Sequence, residues 1–375
     1  MSERKPLRVS LDTSAVPAQP AGGGRYVLEL ATALAARPDV DIVVLARRGD
    51  GARWRAVTRG DVVDRAPRRR PVRLAWEQLV LPRALRPLGV DLHHGPHYTM
   101  PERARLPKVV TVHDVTFFDH PEWHQAAKVR FFRRAIRVAA ERAQALVCVS
   151  AVTAERLGAR LAPAAPVHVI PHGVDHTRFQ PHGSPDDDAL LDALGVRPPY
   201  VAFLGTLEPR KDVPTLVRAF DVVASRQREL SLVIGGLDGW GAAAVGRAIA
   251  AAAHGDRIRR IGYVPDEAVP ALLRRSAAVA YPSLDEGFGL PALEALACGA
   301  PLVTTEGTAM AEVTGDAAVL VPPGDGDALA GALDTVVAGG SDVERLRGAG
   351  PEVAAPYTWE ASAAAHAEVY RSVVP

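Results

Sequence analysis

Two cysteines in 375 residues leave little room for sulfur chemistry. Cys148 and Cys298 lie far apart in apolar runs, so they are expected to be buried thiols in a reducing compartment. A disulfide framework and a cysteine-rich zinc site are excluded. Aromatic residues make up 5 % of the chain, too few for a platform that stacks single-stranded bases, and no nucleic-acid partner is expected. Lysine is scarcer still, with Lys5, Lys108, Lys128 and Lys211 alone. No apolar run approaches the ~18 residues of a membrane-spanning helix. The opening MSERKPLRVSLD also lacks the apolar centre of a secretory signal. These absences predict a cytoplasmic protein. Net charge is nearly absent at +1, yet residues 1–180 carry 29 Lys and Arg against 17 Asp and Glu, and the remainder carries 15 against 26. A basic half joined to an acidic half points to two domains with different partners, an anion or anionic surface on the first. The alternative is compositional drift, since 40 of the 44 basic residues are Arg.

The chain is 48 % hydrophobic and 23 % charged, enough apolar material for two cores and far from disordered composition. Short Val/Ile/Leu runs alternate with longer helical stretches. Strands are predicted at Leu7–Leu11, Asp41–Leu45, Lys108–Val112, Ala145–Val149 and Val167–Ile170. A second series covers Tyr200–Leu204, Leu232–Gly235, Arg257–Ile261, Ala278–Tyr281, Pro301–Thr304 and Ala318–Val321. Runs apolar on both faces and separated by helices mean parallel sheets covered on both sides. The Pro-, Gly- and Asp-rich stretch Pro171–Pro199 breaks the rhythm and marks a seam. The expectation is an α/β protein of two doubly wound, Rossmann-like domains facing a cleft. The first covers residues 1–175 and the second 176–356. Ligands are expected beyond the carboxyl ends of the strands.

Four motifs could carry chemistry there. In YPSLDEGFGLPALEALACGAP (Tyr281–Pro301) a strand ends, a glycine-rich loop follows, and a helix opens near Leu290 with Pro291 in its first turn. Glu286 on the loop and Glu294 on the helix can face one polyhydroxylated ligand. Backbone N–H groups at Gly287, Phe288, Gly289 and Leu290 form an anion site at a positive helix end. In FLGTLEPRKD (Phe203–Asp212) a turn at Gly205 leads to adjacent Arg210 and Lys211, a forked donor beside a point charge that suits a diphosphate. GGGRY, with Gly22, Gly23 and Gly24, follows the first strand but fails the dinucleotide fingerprint. Its third glycine position is Val27, which argues against an NAD-dependent oxidoreductase. VHDVTFF places His113 at a strand end, suited to hydrogen bonding a sugar or a reacting oxygen. The D-x-D strings Asp186–Asp188 and Asp325–Asp327 read as solvated Asp clusters, and no metal is expected.

In these motifs and their order the chain resembles the retaining glycosyltransferases of family 4, which have the GT-B fold, and is nearest to bacterial mannosyl- and rhamnosyltransferases. Glu286-x7-Glu294 resembles that family's paired glutamates. The tail YTWEASAAAHAEVY (Tyr357–Tyr370) resembles the helix that crosses back onto the first domain, assigning 357–375 to it. The resemblance implies that Glu294 holds the ribose hydroxyls, Glu286 the donor sugar, and Arg210 and Lys211 the leaving diphosphate. Gly22, Gly23, Gly24, Gly205 and the 287–290 backbone would complete the donor cage, with His113 near the reacting carbon. Arg25 and Tyr98 are the acceptor-side candidates. Some relatives carry a basic residue where this chain has Thr206.

The implied activity is transfer of a hexose or deoxyhexose from a nucleotide-diphosphate sugar to an acceptor hydroxyl. It proceeds with retention and needs no metal or cofactor beyond that co-substrate, a GDP-mannose-type donor being favoured. Rivals are a nucleotide-sugar epimerase, a phosphorylase needing a cofactor lysine, and a non-catalytic nucleotide-sugar-binding module. The acceptor could be a glycan, a lipid-linked glycan or a small molecule. Arg68, Arg69, Arg70 and Arg73 form one basic cluster. Lys128, Arg130, Arg133, Arg134 and Arg137 interleave with Phe131, Phe132, Ile136 and Val138 on a helical stretch, a candidate peripheral contact with the anionic inner membrane face.

Overall fold

The computed structural model describes residues 5–20, 22–58 and 60–374. The chain divides into two compact units, Met1–Gly173 with Tyr357–Pro375, and Val174–Pro356. Unit 1 is built on β1 (Leu7–Asp12), β2 (Val40–Arg47), β3 (Asp61–Ala66), β4 (Leu92–Gly95), β5 (Lys108–Val112), β6 (Ala145–Cys148) and β7 (Val167–Val169). Its strand order is β3-β2-β1-β4-β5-β6-β7, with parallel pairing throughout. Unit 2 is built on β8 (Tyr200–Leu204), β9 (Ser231–Gly235), β10 (Ile258–Gly262), β11 (Ala278–Tyr281), β12 (Leu302–Thr305) and β13 (Ala318–Val321). Its order is β10-β9-β8-β11-β12-β13, again parallel. The two parallel sheets make each unit a doubly wound α/β domain.

Central strands such as β5, β11 and β12 are buried at every position, which explains why both faces read as apolar. Two strands escape the pattern in the sequence. β3 is a charged edge strand, and β4 (LHHG) carries two fully buried histidines. Helix starts follow local capping chemistry. Ser150 accepts from the N–H of Thr153, Asp325 from that of Ala328 and Thr358 from that of Ala361. Asp325 is thereby a cap, while Asp187 and Asp188 are paired with Arg274 and Arg275, so both D-x-D strings have structural partners.

The terminal helix Trp359–Val373 packs within unit 1 against the first helix, Gly23–Ala35. A chain of five hydrogen bonds runs through its docking face, two of them joining the helix to its neighbours. His366 Nδ1–H donates to the Ser362 carbonyl (2.7 Å), so its Nε2 is the acceptor for the Tyr26 hydroxyl (3.0 Å). Tyr26 accepts from Thr111 (2.9 Å), Thr111 from His94 Nε2–H (2.8 Å), and His94 Nδ1 from Tyr370 (2.7 Å). Every donor meets an acceptor only when both imidazoles are neutral.

The helix Ala126–Arg142 is an ordinary core helix. Phe132, Ile136 and Ala139 are buried in the unit 1 core, Arg134 pairs with Glu102 at 2.6 Å, and Arg133 donates to the Phe117 carbonyl at 2.7 Å. Both cysteines are buried and free, and burial pushes each thiol up to about 12. Among the described residues no helix is long and apolar enough to cross a membrane.

Candidate active site

Strand order reverses where β8 meets β11, and the loops after these two strands are where a ligand crevice forms in such a sheet. The loop after β8 carries Gly205, Glu208, Arg210 and Lys211; the loop after β11 carries Ser283, Asp285 and Glu286. Residues 75 apart in sequence thereby meet. Arg210 Nη1 lies 2.5 Å from Glu286 Oε2, and Lys211 Nζ is bonded to Glu286 Oε1. Ser283 Oγ adds a hydrogen bond to Oε1 (3.2 Å), and Arg210 Nε reaches Glu208 (3.0 Å). The two loops are also stitched by the Leu284 N–H on the Arg210 carbonyl (2.8 Å). A Cβ at Gly205 would stand in ordinary contact with the Phe203 ring (3.5 Å) and with Lys211 Cε (3.9 Å).

Lys211 and Glu286 are both buried. Burial pushes the Glu286 carboxyl up, but the charges of Arg210 and Lys211 and their hydrogen bonds outweigh it and hold it at about 2. Burial lowers the Lys211 ammonium, opposed by the Glu286 charge. The sequence motifs assigned the cations to a diphosphate and Glu286 to a sugar; the structure joins them in one ion cluster. Thr206 packs against the turn at Gly239, 3.1 Å from the position of a Cβ there.

The next helix, Leu290–Ala297, begins at Gly289. Gly289 has φ +99°, and a Cβ would meet Met310 Cγ at 2.4 Å, so only glycine fits this turn. Glu294 lies in that helix and is 8 % exposed; Phe288 and Leu290 are buried.

In unit 1 the order reverses between β1 and β4. The glycine turn follows β1, and Gly22 (φ +48°) precedes the first helix. A Cβ on Gly23 would lie 3.6 Å from both His113 Nε2 and the His97 ring. His113 donates Nε2–H to the Pro96 carbonyl at 2.8 Å, which leaves Nδ1 as its acceptor. Burial, only partly offset by that bond and Asp114, holds its pKa below the usual imidazole value. Tyr98 is buried at φ +65°, with its hydroxyl donated to Asp114 (2.7 Å), so it builds the wall rather than offering a free hydroxyl. Arg25 lies partly buried in the first turn of the first helix. Sequence reasoning missed His97, whose neighbours come from three separate segments. Among the described residues no group of three or more His, Cys, Asp or Glu could hold a metal ion.

Two parallel-sheet units, an ionised carboxylate clamped by two cations at one switch point, and imidazoles beneath a glycine turn at the other define a glycosyltransferase of the GT-B class. Residues 20–178 match the family model described as Glycosyltransferase Family 4, and residues 192–353 match Glycosyl transferases group 1. The chain belongs to these glycosyltransferase families.

It is 29 % identical over 299 residues to O-antigen chain mannosyltransferase B of Escherichia coli, covering 78 % of each chain. It is 33 % identical over 215 residues to D-inositol 3-phosphate glycosyltransferase of Rhodococcus erythropolis, but spans only 48 % of that relative and 55 % of this chain. The fold superposes on Anabaena Alr3699/HepE in complex with UDP-glucose with a TM-score of 0.76, at 20 % identity, over 98 % of this chain and 100 % of that one.

Proposed function

We propose that the chain transfers a hexose or deoxyhexose from a nucleotide-diphosphate sugar to an acceptor hydroxyl, with retention and without a metal. Unit 2 takes the nucleotide sugar and unit 1 the acceptor. The observation that carries this reading is the Arg210–Lys211–Glu286 ion cluster at the β8/β11 switch point, on the loop that leads into the Leu290–Ala297 helix bearing Glu294. A GDP-mannose-type donor is favoured by the mannosyltransferase relative, and nucleotide-sugar use by the fold neighbour holding UDP-glucose.

Both Glu286 oxygens are engaged by Arg210 and Lys211, which makes it a poor nucleophile and holds the two cations in place for the diphosphate. The anomeric C–O bond breaks with its electron pair staying on the diphosphate. The acceptor oxygen enters on the same face, and its proton passes to the departing phosphate. Arg210, Lys211 and the 287–290 backbone N–H groups meet the growing charge, and His113 contacts the sugar.

The test is a panel of nucleotide sugars scored for nucleotide release, with and without acceptor extract and EDTA. Acceptor-dependent release that survives EDTA is expected. Interconverted sugars without release would mean an epimerase, and binding without either would mean a binding module. Glu294→Ala should weaken nucleotide binding by about tenfold or more, since a charged hydrogen bond contributes about 1.5–3 kcal/mol. Unchanged affinity in calorimetry would remove Glu294 from the ribose.

The same reading places unit 1 at an anionic membrane surface, through the 68–86 segment rather than the Ala126–Arg142 helix. Val72, Leu79 and Val80 are 52 %, 55 % and 48 % exposed there, among exposed Arg68, Arg69, Arg70, Arg83 and Arg86. Each basic residue near an anionic surface contributes about 1 kcal/mol. Co-sedimentation with anionic vesicles, weakened by salt and absent with neutral ones, is the expected result; equal, negligible binding to both retires the idea.

A further inference from the structure

We propose that His97 is a substrate-contacting residue of unit 1 that binds a hydroxyl of a neutral sugar through its imidazole, beneath the glycine turn. This rests on the glycosyltransferase reading above.

The residue stands at the β1/β4 switch point, on the loop that follows β4, where the open sheet forms its ligand crevice. Its ring lies within ordinary contact distance of Gly23, whose lack of a side chain keeps the space above it open. Of the neighbouring imidazoles, His94 and His366 have partners at both nitrogens, while His93 is held to Ser10 through Nδ1 and His113 to the Pro96 carbonyl through Nε2, each by one nitrogen. Among the described residues His97 makes ring contacts with Tyr98, His113 and Phe132 and no hydrogen bond.

The loop is held firmly for a residue with no partner of its own. Thr99 Oγ1 donates to Glu77 Oε2 (3.0 Å), Gln78 Nε2 to the Met100 carbonyl (2.9 Å), and the Tyr98 N–H to the Thr111 carbonyl (3.0 Å). Tyr98 sits in the left-handed region, and Gly95 lets the Thr99 carbonyl approach where a Cβ would stand 1.9 Å away. Strain kept by surrounding bonds is a mark of a preorganised site. Burial, then the nearby His113 and Arg73, hold the His97 imidazole down to about 3, so it is neutral at physiological pH. A neutral imidazole offers one N–H and one lone pair, which matches a hydroxyl that both accepts and donates. It offers no charge to a phosphate.

The probes are methyl α-D-mannopyranoside and methyl α-D-glucopyranoside, with inorganic phosphate as the anionic arm, read by saturation-transfer NMR with GDP or UDP present. The wild type should bind at least one glycoside and not phosphate at this site. His97→Ala should weaken glycoside binding at least fivefold, while His97→Asn, which keeps a donor and an acceptor, retains most of it. GDP and UDP affinity by calorimetry and the melting temperature should stay as in the wild type for both variants. Wild-type glycoside binding by His97→Ala, or no glycoside binding by the wild type, overturns the proposal while leaving nucleotide binding intact. Absence of nucleotide and nucleotide-sugar binding in the wild type overturns the underlying reading instead.

Discussion

Lys211→Ala is expected to lower turnover by about 100-fold or more and to destabilise unit 2 by about 3–5 kcal/mol. The side chain is buried against Glu286, and its removal leaves a buried carboxylate with one cation where it had two. The ordinary carboxylate value is 4.5 and the folded value about 2, so Glu286 adds stability that is complete above pH 4.5 and vanishes as the pH falls through 2. At 1.36 kcal/mol per pK unit that contribution is about 3 kcal/mol. Without Lys211, burial regains weight and the carboxyl rises, so acid unfolding of unit 2 should begin at higher pH. Lys211→Arg keeps the charge and should recover most of the stability but less of the turnover, because the larger fork does not fit the space of an ammonium. The double variant Lys211→Ala with Glu286→Gln should be more stable than Lys211→Ala alone, since no unpaired charge remains. Lys211→Ala with wild-type melting and wild-type turnover would dismiss the cluster as an inert surface feature.

The legible parts of this molecule are those written contiguously. Parallel strands buried on both faces print long Val/Ile/Leu runs, so β1, β5, β8 and β11 stand out in the sequence. β4 does not, because its two histidines read as polar. They are inside through hydrogen bonds to Ser10, Thr111 and Tyr370, partners supplied by tertiary contacts. β3 does not, because an edge strand is free to carry Asp and Arg. The same division holds at the sites. The loop-and-helix string from Tyr281 to Pro301 announces an anion site with two carboxylates in one stretch. That Glu286 grips Arg210 and Lys211 was hidden, because it depends on β8 and β11 being neighbours through a crossover. His97 was hidden for the same reason, since Gly23 is brought to it only by the β1/β4 pairing. The apolar face of Ala126–Arg142 was legible as a face, but whether it met lipid or core was settled by packing.

Unit 1 is expected to fail in acid before unit 2, with the terminal helix Trp359–Val373 leaving first. The chain of bonds from Tyr370 through His94, Thr111 and Tyr26 to His366 and Ser362 has one consistent set of donors and acceptors. A second proton on His366 Nε2 or His94 Nδ1 would turn a donor against the Tyr26 or Tyr370 hydroxyl and place a charge in a buried site. Burial holds His366 down to about 4 and His94 well below its ordinary value, the latter helped by His366, His93 and His113. The unfolded chain takes up these protons near 6.5 and the folded one does not. Stability therefore falls as the pH drops below 6.5, the reverse of a histidine that gains a carboxylate partner. For His366 alone the loss by pH 4 is about 3 kcal/mol. The same direction holds at His93, His97 and His172, all in unit 1, opposed there by Glu77, whose carboxyl burial pushes up to about 8, whereas in unit 2 the Glu286 contribution begins to fall only below pH 4.5. Melting curves between pH 7 and pH 4 should separate into two transitions as the unit 1 transition moves down. Limited proteolysis at pH 4.5 should cut first between the units' chain crossing at 356–357 and the end of the helix. The double variant His94→Gln with His366→Gln should be less stable than the wild type at pH 7, by about 1 kcal/mol for each hydrogen bond lost, yet flatter in its pH dependence. A wild-type melting profile that is level from pH 7 to 4.5, or an equal slope in the double variant, would show that these imidazoles do not set the acid limit of the fold.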